Sequence, residues 1–90
     1  MSNEEKIIQL FSLCIRIQKN TSGESGPYVK FETSNYGRNV WISIIDKGFC
    51  SRDVYDGDYV FSFADIPDRV YENCKNHLLD LLKEVQGEAD

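Results

Sequence analysis

Ninety residues, of which 41% are hydrophobic and 28% charged, make one domain around a single modest core and exclude both a disordered chain and a second domain. Ten basic residues against fifteen acidic ones leave a net charge of -5, which argues against a binder of phosphate backbones and in favour of solubility or a basic partner. The three cysteines, Cys14, Cys50 and Cys74, are odd in number and lie in or near apolar segments, the pattern of reduced core thiols. No apolar run approaches the length of a membrane span and no secretory leader opens the chain, so a cytoplasmic protein without a membrane partner is expected. The triplet Asn20, Thr21, Ser22 matches a glycosylation acceptor and, without a leader, is read as loop chemistry.

Ser2 followed three residues later by Glu5 forms a capping box and predicts a helix behind it. Ile7, Leu10, Phe11, Cys14 and Ile17 fall on one face of that helix, with Gln9, Ser12 and Arg16 opposite. Ile8 and Ile15, a heptad apart, extend the apolar arc sideways, which suggests either deep burial or a second contact surface, with burial the expectation. Cys14 to Lys19 also alternates apolar and polar, so a strand after a shorter helix stays open for residues 14–19.

Residues 20–27, NTSGESGP, combine glycine, proline and hydroxylated side chains and predict a flexible loop. Tyr28 to Thr33 alternates as a half-buried strand. Asn35, Tyr36, Gly37 and Arg38 form a hairpin turn, with Asn35 and Gly37 suited to positive φ. The next run, Asn39 to Asp46, is apolar from Val40 to Ile45 apart from Ser43 and is the natural central strand. With Thr33 opposite Val40, Phe31 meets Ile42 and Val29 meets Ile44 on the inner face; Glu32 meets Trp41 and Tyr28 meets Ile45 outside.

After a turn at Lys47 and Gly48 and a connection ending at Asp56 and Gly57, Asp58 to Phe63 forms the third strand, with Tyr59, Phe61 and Phe63 inward. Asp65 is the expected N-cap of a second helix, with Pro67 in its first turn and Asp68 at the positive end of its dipole. Tyr71, Cys74, Leu78, Leu81, Leu82 and Val85 make its apolar stripe, and Gly87 should stop it before an acidic tail at 87–90. The expectation is a single α+β domain over residues 1–90: a two-layer α-β-β-β-α arrangement, in which a three-stranded antiparallel meander carries both helices on one face.

The aromatic-flanked central strand, the turn Lys47, Gly48, Phe49, the strand segment Tyr59, Val60, Phe61 and the capped last helix together resemble small uncharacterised proteins of phages and prophages of Gram-positive bacteria. That resemblance implies a small accessory or host-interacting protein and brings no catalytic residue with it.

Cys74 and His77 stand three apart on the second helix, and Cys14 and Cys50 could complete a zinc set. Real zinc sites place ligand pairs on knuckles, whereas Cys14 and Cys74 belong to core stripes, so no metal is expected there. His77 is read as a boundary residue with one nitrogen bonded and the other wet. Asp46, Asp53, Asp56 and Asp58 crowd one connection but match no full cation loop; strand ends and a turn, with Lys47 and Arg52 alongside, explain them equally. No nucleophile or phosphate-cradling loop accompanies them, which argues against an enzyme and against a cofactor.

If the helices cover one side of the sheet, Tyr28, Trp41, Ile45 and Val60 are exposed on the other, and such a patch usually means contact. The leading expectation is therefore a non-enzymatic protein-interaction module working through this aromatic sheet face or a helix flank, with a homodimer through the sheet as one way of hiding these side chains. Nucleic acid is disfavoured, because Lys30 alone supplies positive charge near this face. The first helix or the connection after Gly48 folding over the face would instead make it core. The rival function is a small divalent-cation-dependent enzyme or sensor built on Asp53, Asp56 and Asp58 in the connection 46–58.

Overall fold

The computed structural model describes residues 1–22, 26–35, 38–48 and 55–88, the last three by backbone alone. The element order is α1 (Asn3–Asn20), β1 (Tyr28–Ser34), β2 (Asn39–Ile45), β3 (Gly57–Ser62) and α2 (Asp68–Glu88). The strands form one antiparallel sheet in the order β1-β2-β3, giving the expected α-β-β-β-α fold.

The capping box forms as read: the Glu5 amide donates to the Ser2 hydroxyl at 3.1 Å, and the Ser2 amide donates to the Glu5 carboxylate at 3.0 Å. These bonds hold the Glu5 carboxyl below its ordinary pKa, the backbone donor most of all. The helix continues through residues 14–19 to Asn20, which settles the helix-or-strand question. Its end is fastened by Gln18, whose amide donates to the Val29 carbonyl at 2.8 Å.

The face that α1 buries differs from the expected one. Leu10, Leu13, Cys14 and Ile17 are inside together with the stem of Lys6, whereas Phe11 is exposed and Ile7 only half-buried. Ile8 at 57% and Ile15 at 36% exposure correct the expectation that both are buried. The core takes in Leu10, Leu13, Cys14 and Ile17 of this helix, and the arc that carries Ile8 and Ile15 lies outside it. Lys6 pays for its burial with partners: its ammonium donates to the Ile66 carbonyl at 2.8 Å and pairs with Asp68 at 2.7 Å.

The β1–β2 register is the one expected, with Thr33 opposite Val40, Phe31 opposite Ile42 and Val29 opposite Ile44. On the other side of β2, Val40 faces Phe61, Ile42 faces Tyr59 and Ile44 faces Gly57. The third strand is thus shifted to start at Gly57. Phe63, expected on the inner face, lies beyond the strand and is exposed; its amide donates to the Arg38 carbonyl at 3.0 Å. In the hairpin turn, Arg38 takes the positive φ of 54° and Asn35 does not, while Gly37 lies outside the described residues. Gly48 adopts φ 103° after β2, a conformation that suits glycine.

Helix α2 begins at Asp68 rather than near Asp65, which instead bridges back to Ser62. Pro67 stands just before the helix and its carbonyl accepts from the Tyr71 amide at 3.0 Å. The helix runs through Gly87 to Glu88, so that glycine does not stop it; one glycine costs a helix only about 1 kcal/mol. Its stripe is buried as expected, at Tyr71, Cys74, Leu78, Leu81, Leu82 and Val85. One contiguous core joins these side chains to Leu10, Leu13, Cys14 and Ile17 of α1 and to Val29, Val40, Ile42, Ile44 and Phe61 of the sheet. Among the described residues, no helix is long and apolar enough to cross a membrane.

Candidate interaction surface

Strand alternation that sends Val40, Ile42 and Ile44 into the core sends Trp41, Ser43 and Ile45 the other way. The pairing builds rows across this second face: Glu32, Trp41 and Val60 in one, Lys30, Ser43 and Asp58 in the next, Tyr28 and Ile45 in a third. Five of these side chains, Lys30, Glu32, Trp41, Ser43 and Asp58, line a shallow open groove.

The four expected contact residues do not share one environment. Val60 is 52% exposed and sits directly across from Trp41, which is half-buried, as is Tyr28. Ile45 is 5% exposed and therefore leaves the contact set: it is buried on the side of the sheet that its strand parity gives it, outside the contiguous core. Tyr28, Trp41 and Val60 remain, with Trp41 and Val60 side by side and Lys30, Glu32, Ser43 and Asp58 near them. The Lys30 ammonium pairs with Glu32 at 2.5 Å, and the Ser43 hydroxyl donates to Asp58 at 3.2 Å. Glu32, foremost through its hydrogen bond, holds the Lys30 ammonium above its ordinary pKa. The pair is solvent-exposed, so it contributes little to stability.

His77 corrects the expectation of one wet nitrogen, since both ring nitrogens are engaged. Its Nε2 lies 2.7 Å from the Asp46 carboxylate and its Nδ1 lies 2.9 Å from the Tyr59 hydroxyl. A carboxylate only accepts, so Nε2 carries the proton, and in the neutral ring Nδ1 accepts from Tyr59. Burial, helped by Cys74 and Asp46, raises the Tyr59 phenol above its ordinary pKa. Gly57 makes room for the array: a Cβ there would come within 2.7 Å of the Tyr59 ring and 2.8 Å of His77 Nδ1. Each polar atom of the array faces another. Asp46, His77 and Tyr59 thus fasten the end of β2 and the start of β3 to α2.

The remaining candidates separate. Cys14 and Cys74 are buried free thiols; burial pushes Cys14 up to about 12 and raises Cys74 as well, so both stay protonated. Cys50 and Asp53 lie outside the described residues. Asp56 accepts from the Asp46 amide at 2.7 Å, while Asp58 turns to Ser43. Among the described residues no three or more His, Cys, Asp or Glu side chains gather as a metal site.

Two features escaped sequence reading. Lys6 is one, buried at 7% exposure although its charge marks it as a surface residue and hides an aliphatic stem. The other is which of its two readings the heptad spacing of Ile8 and Ile15 takes: spacing alone leaves burial and a contact surface both open, and both side chains are exposed. Phe11 stands against Phe31 with ring centroids 4.8 Å apart and planes tilted by 45°, which holds the ring in place. No family model, curated protein or solved structure matches the chain.

Proposed function

We propose that the protein is a non-enzymatic module that binds another protein through the sheet face centred on Trp41 and Val60, in the manner of the small phage-related accessory proteins that its sequence resembles. The supporting observation is that the half-buried Trp41, which lines a groove with Lys30, Glu32, Ser43 and Asp58, has the 52% exposed Val60 directly across from it. A rigid aromatic centre with a polar rim is the arrangement in which a few side chains carry most of the binding energy. Two carboxylates beside one ammonium make the groove unsuited to a phosphate backbone. Buried free thiols at Cys14 and Cys74 suit a reducing, cytoplasmic setting.

The test is quantitative capture from cells that produce the protein, comparing the natural chain with Val60→Asp and Trp41→Ser after circular dichroism has shown both folded. Proteins enriched by the natural chain should fall by at least about tenfold with Val60→Asp, as expected for a charge placed in a contact centre. Equal enrichment by both variants overturns the reading. Calcium and magnesium should leave the melting midpoint unchanged; a rise abolished in Asp56→Asn would favour the cation-dependent sensor instead.

A further inference from the structure

The outer side of α1 presents a row of five side chains, Glu4, Ile8, Phe11, Ile15 and Lys19, spaced by three or four residues and so aligned along one face of the helix. Ile8, Phe11 and Ile15 are exposed at 57%, 44% and 36%. The order of this row is its most informative property. It is acidic at its N-terminal end, apolar in the middle and basic at its C-terminal end. Among the described residues neither Glu4 nor Lys19 has an ion-pair partner within the chain.

We propose that a second copy of this chain docks on α1, the two helices running antiparallel about a two-fold axis that passes between Phe11 and Ser12. Turning the row about that axis lays Ile8 against Ile15 of the other copy and Glu4 against its Lys19. Both ends of the contact are then closed by an opposite-charge pair, and the two Phe11 rings meet near the centre. An isologous interface requires such a self-complementary patch. The antiparallel arrangement also sets each helix's positive end beside the other's negative end. Charge order selects this occupant: a parallel copy would put Glu4 on Glu4 and Lys19 on Lys19.

From Glu4 to Lys19 the row is about 22 Å long at 1.5 Å per residue, and three apolar side chains per copy place the contact at the small, reversible end of specific interfaces. It uses neither Trp41 nor Val60, so it stands independently of the sheet-face reading and leaves that face free in both copies.

Sedimentation equilibrium over a concentration series tests the proposal. The natural chain should pass from monomer to dimer on reaching about 0.1 mM, the range of a small interface. Ile8→Asp should stay monomeric with an unchanged circular dichroism spectrum. Glu4→Lys and Lys19→Glu alone should each weaken dimerisation by about three- to tenfold, because each replaces two attractive pairs by two repulsive ones. Mixing these two single variants should restore association as a heterodimer, since each repulsion becomes an attraction across the axis. Because both singles carry their destabilised helix ends into the mixture, recovery reports the pairing rather than the fold. A natural chain that remains monomeric up to about 1 mM, a dimer that persists in Ile8→Asp, or a mixture that associates no better than its components overturns the proposal.

Discussion

The two helices both carry an apolar arc, yet they use it differently. In α2 every residue of the expected stripe, Tyr71, Cys74, Leu78, Leu81, Leu82 and Val85, is inside the core. In α1 the apolar arc is wider than the arc the core takes in: Ile8 and Ile15 are exposed, and so is Phe11, although its ring stands against Phe31. Apolar side chains beyond those a small core can hide are free for contact. Leu10, Cys14 and Ile17 anchor α1 in the core, and Ile8 and Ile15 lie outside it.

Truncation should break the comparison most visibly. Leu78→Ala removes a fully buried α2 side chain and should cost about 2–5 kcal/mol in chemical denaturation. Ile8→Ala on the surplus side of α1 should lie within about 0.5 kcal/mol of the natural chain in dilute solution. If the two substitutions cost the same, the distinction between anchoring and surplus residues fails.

A smaller loss is expected where α2 is fastened to the sheet. Gly57→Ala places a methyl group against His77 and Tyr59 and should cost about 1–3 kcal/mol, as overpacking does. Nuclear magnetic resonance of the His77 ring should show its hydrogen bonds disturbed in this variant and intact in Ile8→Ala. An undisturbed ring in Gly57→Ala would show that the array tolerates what the geometry forbids.

The smallest effect belongs to the tie between the helix starts. Lys6, chiefly through a hydrogen bond, holds the Asp68 carboxyl below its ordinary pKa. A lowered folded-state pKa gives stability that is fully present above the unfolded value, about 3.9 for Asp, and is lost as pH falls through the lower folded value. Asp68→Asn should therefore lower the melting midpoint slightly at neutral pH and leave the natural chain and the variant alike at the acid end. The opposite trend, with the difference growing in acid, would mean that Asp68 is not the partner that matters to Lys6.

Some of this was readable in the sequence because it is local. Ser2 and Glu5 sit three residues apart, and the capping box formed. The turn at residues 35–38, set between the alternating Tyr28 to Thr33 and the apolar run Val40 to Ile45, gave the hairpin register that the strands adopt, Thr33 opposite Val40. Ends were less legible. Gly57 carried a turn signal but belongs to β3, and Gly87 carried a stop signal but lies within α2, because neighbouring structure outweighs single-residue preference.

The candidate surface was legible as a face and not as a list. Parity places Trp41, Ile45 and Val60 on the same side, but parity cannot say that Ile45 is buried while Val60 is open. The His77 array was hidden for a related reason. Its partners lie 31 and 18 residues away in the chain, and no spacing rule joins a strand end, a second strand and a helix.

The sequence by itself thus determined the five elements, their order and the β1–β2 register, because caps, turns and periodicity act over a few residues. Tertiary structure alone decided which arc of α1 is covered, that Lys6 and Ile45 go inside, and that His77 has two partners. Those outcomes depend on how many elements there are to cover a given side and on where distant side chains converge, and neither quantity is written in any local pattern.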